Sequence, residues 1–385
     1  KMVSAKKKIL VLTEWYLPGR KSGGPVKSIE SFVWFMREYF DIFILTTDTD
    51  LGATAPYDTI QTDTWISKSD KSKVMYLSKS QISMKTISEK LSETYFDFIY
   101  FSGIYNIWFS IIPLRIIRKL KINATIVVAP RGMLSEGSIN IKYFKKKLFL
   151  TAARFFGLYN QTRWHASSEI EANEVRGVFG DKCNIYVAGN FSKPVLVKKE
   201  GITKEKYDLR LFFLSRISPV KNLHVALEAL VALDEFKGNI VFDIYGRHED
   251  SSYVQFCSNL IKKMKSNIQV QFKGEIENHI LGDILPGYHF LFLPTANENF
   301  GHSILESLQC ACPVIISNRT PWRNLQKIGC GWDIEPSAEN FYPILTNALE
   351  MDNSTFQEMK ACAIRFAMGK LNNAELLEAT LKVFS

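Results

Sequence analysis

The chain has 385 residues, 46% hydrophobic and 23% charged, with a formal net charge of +9. That composition excludes a disordered chain, and the length exceeds what one core comfortably fills, so two domains are expected. The charge is uneven: residues 1–195 hold 28 Lys+Arg against 17 Asp+Glu, and the remainder 20 against 22. No aromatic strand motif, helix-turn-helix pattern or zinc-ligand set accompanies the basic residues, so an anionic membrane surface or a phosphorylated substrate is expected and nucleic acid is not.

Six cysteines lack a paired framework, and Cys310/Cys312 have the wrong spacing for a zinc knuckle, which fits a reducing cytosol. "KKKIL" leads straight into a strand, so no secretory signal is expected. The longest uncharged stretch, "FIYFSGIYNIWFSIIPL" (98–114), is short for a membrane span and contains Gly103, Asn106 and Pro113. It divides better into strand, loop and helix.

In chain order, "KILVLTEW" is a strand, "YLPGRKSGGP" a loop and "VKSIESFVWFMREY" a helical pattern. "DIFILTTD" and "KVMYLS" are strands, "ISMKTISEKLSET" a helix and "FDFIYFSG" a strand. A helix ending in "RIIRKLK", the strand "ATIVVAP", a long basic segment, "RWHASS", a helix and "NIYVAGN" follow. The alternation predicts a parallel sheet with helices on both faces. "FSKPVLVKKEGITKEKYD" lacks periodicity and reads as a linker. The pattern then restarts with "LRLFFLSR", "KNLHVALEALVAL", "IVFDIYG", a helix, "IQVQFKG" and another helix. Expected divisions are an N-terminal domain over 1–195, a linker over 196–206, a C-terminal domain over 207–365, and a helix over 366–385 packing back toward the first domain.

"FLFLPTANENFGHSILESLQCACPVIIS" (290–317) carries two glutamates eight apart, Glu298 and Glu306. Phe290–Thr295 and Pro313–Ser317 read as buried strands and His302–Ala311 as a short helix, putting Glu298 in a loop and Glu306 near the helix's first turn. Carboxylates there either favour the positive helix end or grip a polyhydroxy ligand. Arg216 and Lys221, five apart on a strand-to-helix turn, can converge on a diphosphate or stand as solvated loop charges. Gly23 and Gly24 let backbone approach a phosphate closely, or form a flexible turn. No Gly-x-Gly-x-x-Gly fingerprint and no Walker lysine motif is present.

Nearly the whole chain resembles retaining glycosyltransferases of family 4. "GGPVKSI", "APRGMLS", "WHASSEIEA", "LSRISPVKN", "FDIYGRHED", "VQFKGEI", "LPTANENFGHSILESL", "TPWRNL" and "GCGWDI" occur in that family's order. The resemblance implies an α/β protein of GT-B fold, two doubly wound Rossmann-like domains facing each other across a cleft. It implies that Glu298 holds donor-sugar hydroxyls, helped by Asn299 and the amides of Phe300 and Gly301, and that Glu306 binds the nucleotide's ribose. Arg216 and Lys221 would neutralise the departing diphosphate, Gly23 and Gly24 would close over it, and Gly246 and Gly274 would line the nucleotide pocket. With those cations no metal or other cofactor is expected.

Many members of the family place a histidine where this chain has Arg131. That arginine is a catalytic candidate that could meet the sugar, the acceptor phosphate or the diphosphate, or lie on a surface loop. His165 is structural or catalytic; Glu169 caps a helix or touches substrate, capping being the blander account. Asp48-Thr49-Asp50 reads as turn aspartates, and Trp322 and Trp332 either stack on a sugar or base or are buried, burial explaining them at least as well. The segment 138–158 mixes Lys142, Lys145–Lys147 and Arg154 with Ile141, Phe144, Leu148 and Phe155. It either lies on anionic lipid or packs its apolar face on the domain.

The implied partners are a nucleotide-sugar donor, uridine-linked, and a saccharide or lipid-linked acceptor. The implied role is in cell-surface polysaccharide or lipopolysaccharide synthesis in the cytoplasm of a bacterium, with peripheral contact on the membrane's inner face. The alternatives are a GT-B nucleotide-sugar binding protein without transfer, and another GT-B reaction such as sugar-nucleotide epimerisation.

Overall fold

The computed structural model describes residues 6–140, 143–233, 236–371 and 374–385. The chain divides into two compact units: unit 1 ends at Ser192 but regains Ala374–Ser385, and unit 2 runs from Lys193 to the residues before Ala374.

Unit 1 contains, in order, β1 (Lys7–Leu12), α1 (Gly24–Met36), β2 (Phe40–Thr47), β3 (Trp65–Ser67), β4 (Lys73–Leu77), α2 (Met84–Ser92), β5 (Phe98–Ser102), α3 (Ile112–Leu120), β6 (Thr125–Ala129), α4 (Glu136–Asn140), α5 (Tyr143–Phe155), β7 (Arg163–Ala166), α6 (Glu169–Phe179) and β8 (Asn184–Val187). Its sheet order is β3-β4-β2-β1-β5-β6-β7-β8. Every pairing is parallel except β3 against β4. That three-residue antiparallel edge strand was not expected; its short, half-exposed sequence carries no strand periodicity.

The continuous apolar runs of these strands follow from burial on both faces. Along β1, Leu10 and Leu12 face a core built with α2, α3, α5 and α6, while Ile9 and Val11 face a second core containing α1. Helix α1 supplies Ile29, Phe32, Val33 and Met36 at helical spacing, and Pro25 fits its first turn, where no intrahelical N–H is needed.

Unit 2 continues with β9 (Asp208–Leu214), α7 (Leu223–Val231), β10 (Asn239–Tyr245), α8 (Ser251–Ile261), β11 (Ile268–Gly274), α9 (Leu281–Ile284), β12 (Phe290–Leu293), α10 (His302–Gln309), β13 (Val314–Ser317), α11 (Leu325–Ile328), β14 (Gly331–Ile334), α12 (Ala338–Glu350) and α13 (Asn353–Leu371). The sheet is wholly parallel, in the order β11-β10-β9-β12-β13-β14. All six cysteines are free, and Cys257, Cys310, Cys312 and Cys330 are buried as small apolar side chains.

The stretch expected as a linker has no regular element and belongs with unit 2. Ile202 N donates to Pro286 O at 3.0 Å and Tyr207 N to Leu349 O at 2.7 Å. Lys204 is 2% exposed; its ammonium donates to Glu205 O and Leu349 O, and burial lowers its pKa to about 8. At the other end α13 runs past residue 366 and stays in unit 2. A final helix, α14 (Ala374–Val383), joins unit 1. There Phe384 packs within 6 Å of Phe32, Phe40, Phe98 and Tyr100, and Arg163 donates to Val383 O and Ser385 O.

Candidate active site

In unit 2 the strand order reverses between β9 and β12, whose successors extend toward opposite edges. Loops leaving such neighbours diverge and open a crevice at the strands' C-terminal ends. The loop after β9 carries Arg216 and Lys221, and the loop after β12 carries Glu298. Val220 O accepts from Ala296 N at 2.8 Å and from Thr295 Oγ1 at 3.2 Å, stitching the two loops together. Glu298 N donates to Arg319 O at 3.1 Å and so ties in the loop after β13.

This stitching places Lys221 Nζ 2.6 Å from Glu298 Oε2. Lys221 is only 7% exposed, so the pair is shielded from water and from salt. Arg216 does not share that carboxylate: its Nη1 lies 2.6 Å from Glu249 Oε1, with both side chains well solvated. Glu249 went unnoticed in the sequence. The available signal was its place in "RHED", just after β10, the strand beside β9.

Helix α10 starts at His302, as expected, which puts Glu306 just past its first turn; it is 5% exposed. Gly301 is the N-cap at φ 79°, in the left-handed region. A Cβ there would lie 2.8 Å from Ile304 Cδ1 and 3.2 Å from Glu298 Cγ, so any side chain would press on the glutamate. Phe300 O accepts from Trp322 Nε1, and the Phe300 ring packs edge-on against His302 and Trp322. Gly246 must be glycine for a different reason: a Cβ would meet Ser215 O at 1.8 Å. Its N–H donates to Gly274 O at 2.8 Å. Trp322 and Trp332 are buried, the second of the two readings of them.

Unit 1 reverses its strand order at β1, between β2 and β5. In the loop after β1, the Arg20 and Lys21 amides donate to the Asp50 carboxylate, so Asp50 acts in a turn. Gly23 (φ 69°) is the N-cap of α1, and Gly24 has open space where a side chain would stand. Arg131, just past β6, is itself left-handed at φ 56°. Its Nη2 donates to Tyr100 Oη at 2.7 Å and its Nη1 to Asn190 Oδ1. Arg131 Nε and Asn190 Nδ2 are shielded from solvent and unpartnered.

His165 is buried between Ala188 O (2.9 Å) and Tyr100 Oη (3.0 Å). A carbonyl only accepts, so Nε2 carries the proton and Nδ1 accepts from the tyrosine. The tyrosine oxygen is thereby left to accept from Arg131. Burial, with the nearby Arg131 charge, lowers the His165 pKa to about 3, so the ring is neutral. Glu169 opens α6, and its neighbour Ser168 is the cap, accepting from Glu171 N at 3.2 Å. Glu171 was missed. It is buried and accepts from Ser167 N, Ser167 Oγ and Gly132 N, which fixes the loop bearing Arg131. The Ser168-x-x-Glu171 spacing was the signal for it.

Residues 195–351 match the family model described as glycosyl transferases group 1. No curated protein matches the chain in sequence. Solved structures do match. The Anabaena protein HepE, in complex with UDP and glucose, is 14% identical over 98% of both chains, with a TM-score of 0.67. Sucrose-phosphate synthase from Thermosynechococcus elongatus is 11% identical over 98% of both, with a TM-score of 0.70. The E. coli trehalose-6-phosphate protein bound with UDP-2-fluoro glucose is 10% identical over 98% of this chain and 99% of that one, with a TM-score of 0.67. The fold is therefore GT-B, two doubly wound Rossmann-like domains, and the match to the group 1 glycosyltransferase model falls in the second unit.

Proposed function

We propose that the protein is a retaining glycosyltransferase of family 4 that moves a sugar from a UDP-sugar onto a hydroxyl of a saccharide or lipid-linked oligosaccharide. We place it in bacterial cell-surface polysaccharide synthesis, in the cytoplasm, with peripheral contact on the membrane's inner face. The observation that carries the reading is the shielded Lys221–Glu298 pair at the β9/β12 switch point. It puts a cation suited to a diphosphate beside a carboxylate suited to sugar hydroxyls. The complexes of HepE with UDP-glucose and of the trehalose-6-phosphate protein with UDP-2-fluoro glucose support a uridine donor.

A sugar nucleotide has hydroxyl-rich ends around a dianionic centre. Carboxylates suit the hydroxyls, and guanidinium and ammonium groups suit the centre. In this reading Glu298, with Asn299 and the amides of Phe300 and Gly301, holds the donor sugar, and Glu306 holds the ribose. Gly246 and Gly274 shape the nucleotide pocket. The bond from the anomeric carbon to the diphosphate oxygen breaks as the acceptor oxygen bonds to the same face. The acceptor's proton passes to the departing diphosphate. Arg216 and Lys221 neutralise the charge that develops there, so the reaction needs no divalent metal. In unit 1, Gly23 and Gly24 close over the phosphate and Arg131 meets the reacting sugar or the acceptor.

The test is release of free UDP from a panel of UDP-sugars in EDTA, without acceptor. Slow turnover of one donor is expected, and Glu298→Ala should abolish it while circular dichroism stays unchanged. A wild-type protein that binds UDP but turns over no donor would favour a binding protein instead.

A further inference from the structure

Helix α5 presents large apolar side chains to solvent as well as to its domain. Phe144 is 86% exposed, Leu148 73%, Phe155 82% and the adjoining Phe156 78%. The side that packs on the domain holds Leu150, Ala153 and the partly buried Phe149, which meets the Tyr105 ring. At about 100° per residue, Phe144, Leu148 and Phe155 fall within one narrow outward stripe. Lys145 lies to one side of that stripe and Lys147 and Arg154 to the other, all exposed. Lys146 is not among them: it points inward, donating to Ser138 O at 2.6 Å and sitting over the Tyr105 ring. Lys142 and Ile141, expected in the same amphipathic pattern, lie outside the described residues.

A cavity of about 480 Å³ adjoins the stripe, lined by Ile111, Arg115, Phe149, Ala152 and Phe156 among others. Arg115 is exposed and has no partner among the described residues. Bulky apolar groups in this density on a protein surface mark something that covers them.

We propose that α5 is a membrane-docking helix that lies in the interface of an anionic lipid bilayer, with Phe144, Leu148, Phe155 and Phe156 inserted and Lys145, Lys147, Arg154 and Arg115 at the headgroups. Charge complementarity selects lipid over a protein partner. An apolar stripe flanked on both sides by cations is the pattern of interfacial helices, whereas the cores of protein interfaces are depleted in lysine. Among the described residues no helix is long and apolar enough to cross a membrane, and a 13-residue helix (α5) extends only about 20 Å. Docking is therefore in the plane of the surface. The inference deepens the peripheral contact proposed above, and its test uses no sugar chemistry.

The experiment is flotation of the full chain with phosphatidylcholine vesicles, with and without phosphatidylglycerol, at low and high salt. Binding is expected only with the anionic lipid and should weaken with salt. Lys145→Gln with Lys147→Gln should lower partition about 30-fold, roughly fivefold per cation. Phe144→Ser with Leu148→Ser and Phe155→Ser should abolish it, and Lys146→Gln should leave it unchanged. All three variants should keep the UDP-induced rise in melting temperature, which separates a lost docking face from a lost fold. A UDP response absent even in wild type, with flotation intact, would count against the transferase reading alone. Flotation that ignores the serine substitutions would overturn the inference. So would a wild-type chain that ignores vesicles but forms a dimer those substitutions dissociate, since the face would then belong to a second copy.

Discussion

Replacing Lys221 with methionine tests the proposed donor site directly. Without ligand, the ammonium sits 2.6 Å from Glu298 and is almost fully shielded. Methionine keeps most of the side chain's volume but leaves a carboxylate unpaired. Breaking a fully buried pair costs about 3–5 kcal/mol, and less here because Glu298 keeps 20% exposure and can hydrate. UDP affinity should fall by more than the pair's geometry alone suggests. The diphosphate loses one charge-assisted hydrogen bond, about 1.5–3 kcal/mol, and gains a nearby uncompensated carboxylate. Together these predict a loss of at least roughly 10- to 150-fold, read by isothermal titration of UDP. Lys221→Met with Glu298→Gln should recover part of the loss, because the repelling charge is gone. Uridine, which has no phosphate, should bind both forms alike. An unchanged UDP affinity in a folded Lys221→Met protein would refute the assignment, and equal losses for uridine and UDP would place the lysine's role in folding.

Three further outcomes follow from the structure. Glu249→Gln frees Arg216 from an exposed pair worth about 0–1 kcal/mol, so UDP should bind up to about fivefold tighter by the same titration, with the effect fading in high salt. Gly301→Ala places a methyl in a left-handed position against Ile304 and Glu298. The strain alone costs about 1–2 kcal/mol, so scanning calorimetry should show a lower melting temperature, and donor hydrolysis should fall because Glu298 is pushed aside. Burial holds the His165 pKa near 3 and the His289 pKa near 4, both below the ordinary 6.5. Between those values and 6.5 the unfolded chain binds more protons than the folded one, so stability is lost as pH falls through that window. The loss should be on the order of a few kcal/mol, visible as a melting temperature that drops from pH 7 to pH 4, and His289→Gln should flatten the slope.

The strands were legible because parallel strands buried on both faces write themselves as apolar runs: "KILVLTEW" and Phe290–Thr295 became β1 and β12, which end three and two residues sooner than expected. The edge strand Trp65–Ser67 was illegible for the opposite reason, since it is half-exposed and pairs only with β4. The proposed donor residues were found through the order of short motifs, and the structure stitches two of them, Lys221 and Glu298, across 77 positions of chain. What the sequence hid was partnership. Glu249, Tyr100 and Asn190 are ordinary residues in ordinary contexts until strand order brings each to a cation. The stripe on α5 was legible as amphipathic, but its direction was not. A periodicity says that one face is apolar, and only packing shows that Leu150 and Ala153 went in while Phe144 and Phe155 stayed out.

The two units treat their cations differently, and the difference bears on the proposed reaction. In unit 2 the two candidate site cations are each paired with a carboxylate, so under the proposed function an incoming diphosphate would displace Glu249 from Arg216 and Glu298 from Lys221. Such exchange conserves charge balance and keeps the site stable while it is unoccupied, at the expense of some affinity. In unit 1 the Arg131 guanidinium is gripped by neutral acceptors, the Tyr100 hydroxyl and the Asn190 amide, with no ion pair among the described residues. His165, neutral and fixed by Ala188 O, dictates which way the tyrosine hydroxyl points. A guanidinium held by neutral groups stays pre-oriented and uncompensated, so it can stabilise negative charge without first breaking a salt bridge. Under the proposed mechanism the exchangeable pairs suit the group that binds and leaves in each cycle. The fixed arginine suits charge that exists only as the sugar is transferred. Replacing His165 with glutamine should then lower kcat for donor hydrolysis while leaving UDP affinity alone, because His165 contacts Tyr100 and through it sets the aim of Arg131.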